Sequence, residues 1–242
     1  PNARVITLNR EGTYHSSYCF NGGITAAKSE LLVIPDADVA VERDFLERVW
    51  QEHQTNDKLL LYIHRYDEAQ TDHLEPITLE HLRRVCVLKN TMNFGGCLAV
   101  RKKWLLAING YEQHPLFEGG FHANGRDVFN RLRHHGLPVM WHPTLKLYHA
   151  WHLATGYGRY FWKRQRVVTD YRDRQLHTLP YHGIDPIHDS KFQQILAAQI
   201  ATYERDNAHL KERDEAIVDV AHTLPGKEHL GTFGKLVKRL FG

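Results

Sequence analysis

The 242 residues carry a formal net charge of +3, with 42% hydrophobic and 24% charged side chains. That is the balance of a globular chain able to bury a core, and so small a charge excludes a general nucleic-acid binder, leaving only local basic patches. Three cysteines (Cys19, Cys86, Cys97) without CxxC spacing exclude a disulfide scaffold and a zinc knuckle, and they fit a reducing cytoplasm.

In chain order, Val5-Ile6-Thr7-Leu8 predicts a short buried strand, and a helix is expected from about Ser16 to Lys28. Leu31–Ile34 is a continuous apolar run, the pattern of a strand covered on both faces, and it ends at Pro35-Asp36-Ala37-Asp38. Phe45, Leu46, Val49 and Trp50 have helical spacing within 42–54, and Leu59 to Ile63 predicts another strand. Residues 64–88 are polar and mixed, with a short helix expected around 78–85. A strand from Phe94 to Val100 is entered through Gly95-Gly96, and a helix from Lys102 to Ile108 is stopped by Asn109-Gly110. Arg126 to His135 predicts a helix closed by Gly136, and Val139–Trp141 a strand ended by Pro143. The alternation implies an α/β domain with a mainly parallel sheet. No run approaches the roughly 20 apolar residues of a membrane span, and residues 1–20 lack the apolar core of a signal peptide.

Past Trp151 the composition changes, which divides the chain into 1–155, a basic aromatic connector at 156–188 and a helical extension at 189–242. Residues 156–174 interleave aromatics with Arg and Lys. Leu196, Tyr203, Leu210, Ile217 and Leu224 repeat every seven residues, although Gln199, Asp206 and Arg213 leave that seam thin. The seam pairs two chains into a homo-oligomer or folds back as a bracket. The tail 231–242 sets Phe233, Leu236, Val237, Leu240 and Phe241 opposite Lys235, Lys238 and Arg239. This stretch and the basic aromatic one fit an anionic membrane surface, at the inner face of the membrane, or equally a helix packed on the domain.

Asp36 and Asp38 follow a strand directly, where open α/β sheets bind ligands. Two carboxylates one residue apart can share a divalent cation and the diphosphate it carries; equally, Asp36 can cap a turn and Asp38 start a helix. The surroundings decide. Asn21-Gly22-Gly23, Ala26-Ala27 and Glu30 through Asp38 resemble the nucleotide-sugar signature of the large inverting family of GT-A glycosyltransferases. Asn93 through Arg101 is similar to that family's glycine-pair strand, and Asn109-Gly110-Tyr111-Glu112 to its "GGFDE" turn. Arg126-Asp127-Val128-Phe129-Asn130-Arg131-Leu132 resembles its "ED-x-x-x-R-L" helix. Tyr148-His149-Ala150-Trp151-His152 is similar to the histidine segment of the chondroitin-polymerase and galactosyltransferase branch.

The resemblance covers about residues 3–152 and implies transfer of a sugar from a nucleotide-diphosphate donor, expected to be a uridine diphosphate sugar. The acceptor is a hydroxyl of a glycan or lipid-linked molecule, the cofactor Mn2+ or Mg2+, and the outcome inversion. It implies Asp36, Asp38 and His149 as metal ligands, with Asp36 also reaching the donor ribose, and Asp127 as general base. Asn21, Gly23, Gly95 and Gly96 would contact the donor, and Arg126 and Trp151 the acceptor. His152 is a weaker ligand candidate. Trp141 and Trp151 would stack on sugar rings or fill a core, and Gly119, Gly120 and His122 suggest a mobile loop. Two departures stand out. Arg126 replaces the family's glutamate, which leaves acceptor preference open, and only Val5–Leu8 stands ahead of the Asn-x-Gly turn where the family has two nucleotide-holding strand–helix units. These departures favour a competing reading as a non-catalytic sugar-binding or scaffolding module. A phosphatase of the haloacid-dehalogenase type is excluded by Val39-Ala40-Val41 after the second Asp.

Overall fold

The computed structural model describes residues 4–11, 15–71, 77–117, 123–152, 159–187 and 190–211. Helix α1 (Ser16–Ala26) leads to strand β1 (Leu31–Pro35) and the two-residue strand β2 (Val39–Ala40). In helix α2 (Phe45–Thr55) a row at i, i+4 and i+8, Phe45, Val49 and His53, is buried, while Leu46 and Trp50 stay exposed. Strand β3 (Leu60–Asp67) runs four residues beyond the expected end at Ile63. Helix α3 (Leu79–Val85) starts at Thr78, whose hydroxyl accepts from the His81 N–H at 3.2 Å. Strands β4 (Val87–Leu88) and β5 (Cys97–Arg101) and helix α4 (Lys102–Ala107) follow, then helix α5 (Ala123–His134), strand β6 (Val139–His149) and helices α6 (Arg159–Arg174) and α7 (Ser190–Asp206).

Three helices stop by one device, a left-handed residue that lets two N–H groups turn back onto the last carbonyls. In α4, Asn109 (φ 57°) and Gly110 donate to Leu106 O and Leu105 O at 2.9 and 2.8 Å. In α5, Gly136 (φ 94°) and Leu137 donate to Arg133 O and Leu132 O. In α6 the left-handed residue is Leu176 (φ 52°), and it and His177 donate to Asp173 O and Arg172 O.

The strands form one six-stranded sheet in the order β1-β5-β3-β6-β2, with β4 beside β3. Helices cover both faces, α1, α4 and α5 on one and α2 on the other. The α/β class is the one expected, but the sheet is mixed. Its longest ladder, β3 with β6, is parallel, and the other four pairings are antiparallel. An apolar run reports burial on two faces and says nothing of direction, so strand–helix alternation overestimates the parallel share.

Pro143 does not end β6. Tyr62 pairs with Trp141 and His64 with Lys146, so His142–Leu145 face the single residue Ile63. The bulge closes on the His142 ring, whose Nδ1 accepts from the Thr144 and Leu145 N–H groups at 3.1 and 2.9 Å. Before it, Val139 and Trp141 pack on the α5 side of the sheet; after it, Leu145 and Leu147 pack on the α2 side. The side chains have changed faces within one strand.

Two expectations do not hold. Val5–Leu8 forms no strand: residues 4–11 are an exposed irregular segment, with Val5 90% exposed and Arg4 Nη2 donating to Ala26 O at 2.7 Å. An apolar tetrapeptide alone specifies no sheet partner. The Asn-x-Gly turn also falls inside α1 rather than at a turn. The described part of the basic aromatic stretch folds as α6 and packs on α5 and α7. A third core there joins Leu116, Phe117 and Ala123 to Val168, Tyr181, Leu196 and Ile200. Three of its cations are matched: Arg164 pairs with Glu204, Arg166 with Asp170, and the buried Arg172 with Glu112 and Asp127. The seam residue Leu196 is spent on this same chain. Ile217, Leu224 and the amphipathic tail lie outside the described residues, and among the described ones no helix is long and apolar enough to cross a membrane.

Candidate metal and donor site

The sheet itself assembles the site. Asp38 directly precedes β2, whose Val39 pairs with His149, and His149 pairs on its other side with Asp67. Asp36 is fixed by its N–H, which donates to Gly96 O at 2.9 Å and hangs the Asp36–Asp38 turn from the entry to β5. His149 Nε2 and His152 Nε2 lie 3.3 and 3.0 Å from Asp38 Oδ2, and 3.2 Å from each other. Donor atoms about 2.1 Å from a shared cation stand about 3.0–3.4 Å apart at octahedral or tetrahedral angles. The triangle therefore fits one face of a divalent-cation site, and two imidazoles with one carboxylate are a suitable donor set. Burial pushes the Asp38 carboxyl up, but the hydrogen bond to His152 and the nearness of His149 outweigh it and hold it below the ordinary range.

Asp36 is not in the triangle. Its Oδ2 accepts from Arg65 Nη1 at 3.2 Å, and Arg65 Nε lies 2.9 Å from Asp67 Oδ1, which in turn lies 3.1 Å from His149 Nδ1. Burial raises the Asp36 carboxyl; Arg65 opposes the shift, and the neighbouring Asp38 adds to it. Of the expected ligands Asp36, Asp38 and His149, the structure brings Asp38 and His149 together and adds His152, while Asp36 Oδ2 faces the Arg65 guanidinium instead. The backbone leading from His149 toward His152 is held by Glu68, only 5% exposed, whose Oε2 accepts from the Trp151 N–H at 3.0 Å and whose own N–H donates to His149 O. Arg65, Asp67 and Glu68 escape sequence reasoning because they stand on the last turns of β3 and just beyond it, past the apolar run. The alternation of Ile63, Arg65 and Asp67 was the available signal.

The glycine pair borders this turn. A Cβ on Gly95 would find only Asn93 Oδ1, at 3.7 Å, so the backbone there is open to an approaching ligand. Gly96 is buried and faces Asn93 and Leu147 more closely. The first turn of α5 presses on the same segment through Gly125, where a Cβ would come within 2.7 Å of Phe94 O.

Other assigned residues are used for folding. Asn21 is buried and clamps the backbone of Tyr111, donating to its carbonyl at 2.9 Å and accepting from its N–H at 2.7 Å, so its amide serves the fold. Gly23 lies on α1 in a cleft of about 570 Å³ lined by Arg4, Thr7, Arg10, His15 and Tyr18, with no metal-site residue in it. Asp127 is 2% exposed; Oδ2 accepts from Arg131 Nε at 2.8 Å, and Oδ1 from Arg172 Nε at 2.9 Å. Burial raises its carboxyl, yet the two guanidinium groups prevail and hold it low. With both oxygens engaged it is an ion-pair anchor, and the expectation of a general base at this position is corrected. Arg126 is exposed, and Trp151 is half-buried beside His152. Trp141 packs in an aromatic group, 5.0 Å from both Tyr62 and His64 between ring centroids. Gly119, Gly120 and His122 lie outside the described residues.

No family model matches the chain, and no curated protein sequence matches it. Among solved structures it is similar to GalNAc-T7 with UDP, GalNAc and Mn2+, at 15% identity and a TM-score of 0.42 over 77% of this chain and 42% of that one. It is also similar to the mannosyltransferase PcManGT from Pyrobaculum calidifontis in complex with GDP-Man and Mn2+, at 14% identity and a TM-score of 0.41 over 95% of this chain and 61% of that one. The chain thus spans less than two thirds of the length of either.

Proposed function

We propose that the chain carries the catalytic face of a metal-dependent glycosyltransferase moving a sugar from a nucleotide-diphosphate donor to a hydroxyl of a glycan or lipid-linked acceptor. The observation that carries this reading is the Asp38–His149–His152 triangle at a strand end, beside the open backbone of Gly95. Asp38, His149 and His152 would hold a divalent cation there, which when bound would lend Lewis-acid neutralisation to the departing nucleoside diphosphate. Asp38 and the two imidazoles hold that charge, Asp36 is kept in place by Arg65 for the donor's ribose, and Gly95 lets the donor approach the backbone. Two imidazoles shift the preference from Mg2+ toward transition-metal dications such as Mn2+. With both Asp127 oxygens held by guanidinium groups, that position offers no ready base for an inverting displacement. The amphipathic tail keeps a peripheral cytoplasmic location within the proposal.

A second reading, a sugar-nucleotide-binding module without turnover, is favoured by one observation: Asp127 and Asn21 are both committed to the fold. Calorimetric titration with MnCl2, followed by turnover of a panel of uridine and guanosine diphosphate sugars, separates the two. Metal-dependent turnover, abolished together with Mn2+ binding in Asp38→Ala and His149→Ala, supports the enzyme. Binding without turnover supports the module, and a wild-type protein that takes no divalent metal overturns both.

A further inference from the structure

The metal triangle accounts for one nitrogen of His149 and leaves the other to be explained. Its Nδ1 lies 3.1 Å from Asp67 Oδ1, and Asp67 is only 15% exposed at its side chain. The two residues are direct cross-strand partners on β3 and β6, so the sheet ladder fixes their separation. A neutral imidazole carries one proton, and the nitrogen that keeps it is set by its best acceptor. Two carboxylates face the ring, Asp67 Oδ1 at 3.1 Å from Nδ1 and Asp38 Oδ2 at 3.3 Å from Nε2; Asp67 is the nearer and the less exposed, 15% against 49%, so it holds the proton and leaves the Nε2 lone pair aimed at the space between Asp38 and His152. Outer carboxylates of this kind orient metal-binding histidines and raise their basicity.

We infer that Asp67 is the positioning residue of this site: it accepts the Nδ1 proton of His149, fixes the ring and its tautomer, and through Arg65 ties that ring to Asp36. The Arg65 guanidinium lies 2.9 Å from the same Asp67 oxygen and donates to Asp36 Oδ2 at 3.2 Å, so one linked chain joins His149 to the Asp36–Asp38 turn. Asp67 touches neither donor nor acceptor in this arrangement. The inference rests on the metal reading above, and one of its measurements needs no metal at all.

The test uses the full chain with Asp67→Ala, the isosteric Asp67→Asn and, as reference, His149→Ala. Long-range 1H–15N spectra of metal-free wild-type protein are expected to show His149 protonated at Nδ1, and both Asp67 variants to show that preference lost. Mn2+ affinity, followed by electron paramagnetic resonance, is expected to fall roughly 10- to 100-fold in Asp67→Ala, less in Asp67→Asn, and to vanish in His149→Ala. Asp67→Asn retains the shape of the side chain and decides the matter if Asp67→Ala fails to fold. A wild-type tautomer protonated at Nε2, or Mn2+ affinity unchanged in both Asp67 variants but lost in His149→Ala, overturns the inference while the metal site stands. Absence of Mn2+ binding in the wild type, with the Nδ1 tautomer present, brings down the metal reading instead.

Discussion

Glu112 is fully buried, and its carboxylate accepts from Arg172 and from the backbone N–H groups of His114, Tyr181 and His182. Beside it, the His114 ring uses Nδ1 as an acceptor for the Leu116 N–H at 3.1 Å, which a proton on that nitrogen would abolish. Burial pushes the His114 pKa down to about 4; Glu112 opposes the shift, and His182, Arg164 and Arg172 add to it. The unfolded chain therefore binds this proton first, near the ordinary histidine value of about 6.5, while the folded chain resists it until near pH 4. Folding stability is expected to decline on acidification across that window by on the order of 2–3 kcal/mol. Urea unfolding from pH 7.5 to 4.5 measures the decline, and His114→Gln should flatten it. At this scale the sequence was partly legible. Asp38 and His149 could be placed from their neighbours, whereas Asp127 could not, because the Arg172 that occupies it is 45 residues away on an element of no motif.

At the scale of elements, helix ends were the most readable features. Asn109-Gly110 and Gly136 announce their left-handed stops by residue type, since such backbone is cheap for glycine and tolerable for asparagine. Leu176 makes the same turn with a side chain that resists it, so nothing in its identity marked the end of α6. It is 67% exposed and contributes little burial. Leu176→Gly is accordingly expected to stabilise the protein by about 1 kcal/mol, read as a rise in Tm of about 2–4 °C for a chain of this size. A lower Tm would show that the leucine's contacts outweigh its backbone strain. Strand direction was not legible, because Leu31–Ile34 looks the same beside an antiparallel neighbour as beside a parallel one.

Across the whole molecule, α6 and α7 belong to the body rather than trailing from it. Arg172 reaches from α6 to Asp127 on α5 and to Glu112 after α4, all three essentially excluded from solvent. Removing one charge from such a network leaves its partners buried and unmatched, a loss of about 3–5 kcal/mol. Asp127→Asn should therefore lower the urea midpoint sharply and leave Mn2+ affinity unaltered; a variant of normal stability that had lost only turnover would return the residue to catalysis. The α/β body could be read from alternation and spacing. The docking of the extension could not, because it depends on a few long-range ion pairs and a small third core rather than on any repeat. The excursion His142–Leu145 also has a bearing on how the chain can vary. Three surplus residues, an odd number, set the phase of everything downstream in β6. A one-residue slip of the pairing beyond the excursion would lift Leu145 and Leu147 out of the α2-side core in the same move that turned His149 to the back of the sheet, so the core and the site hold one and the same register.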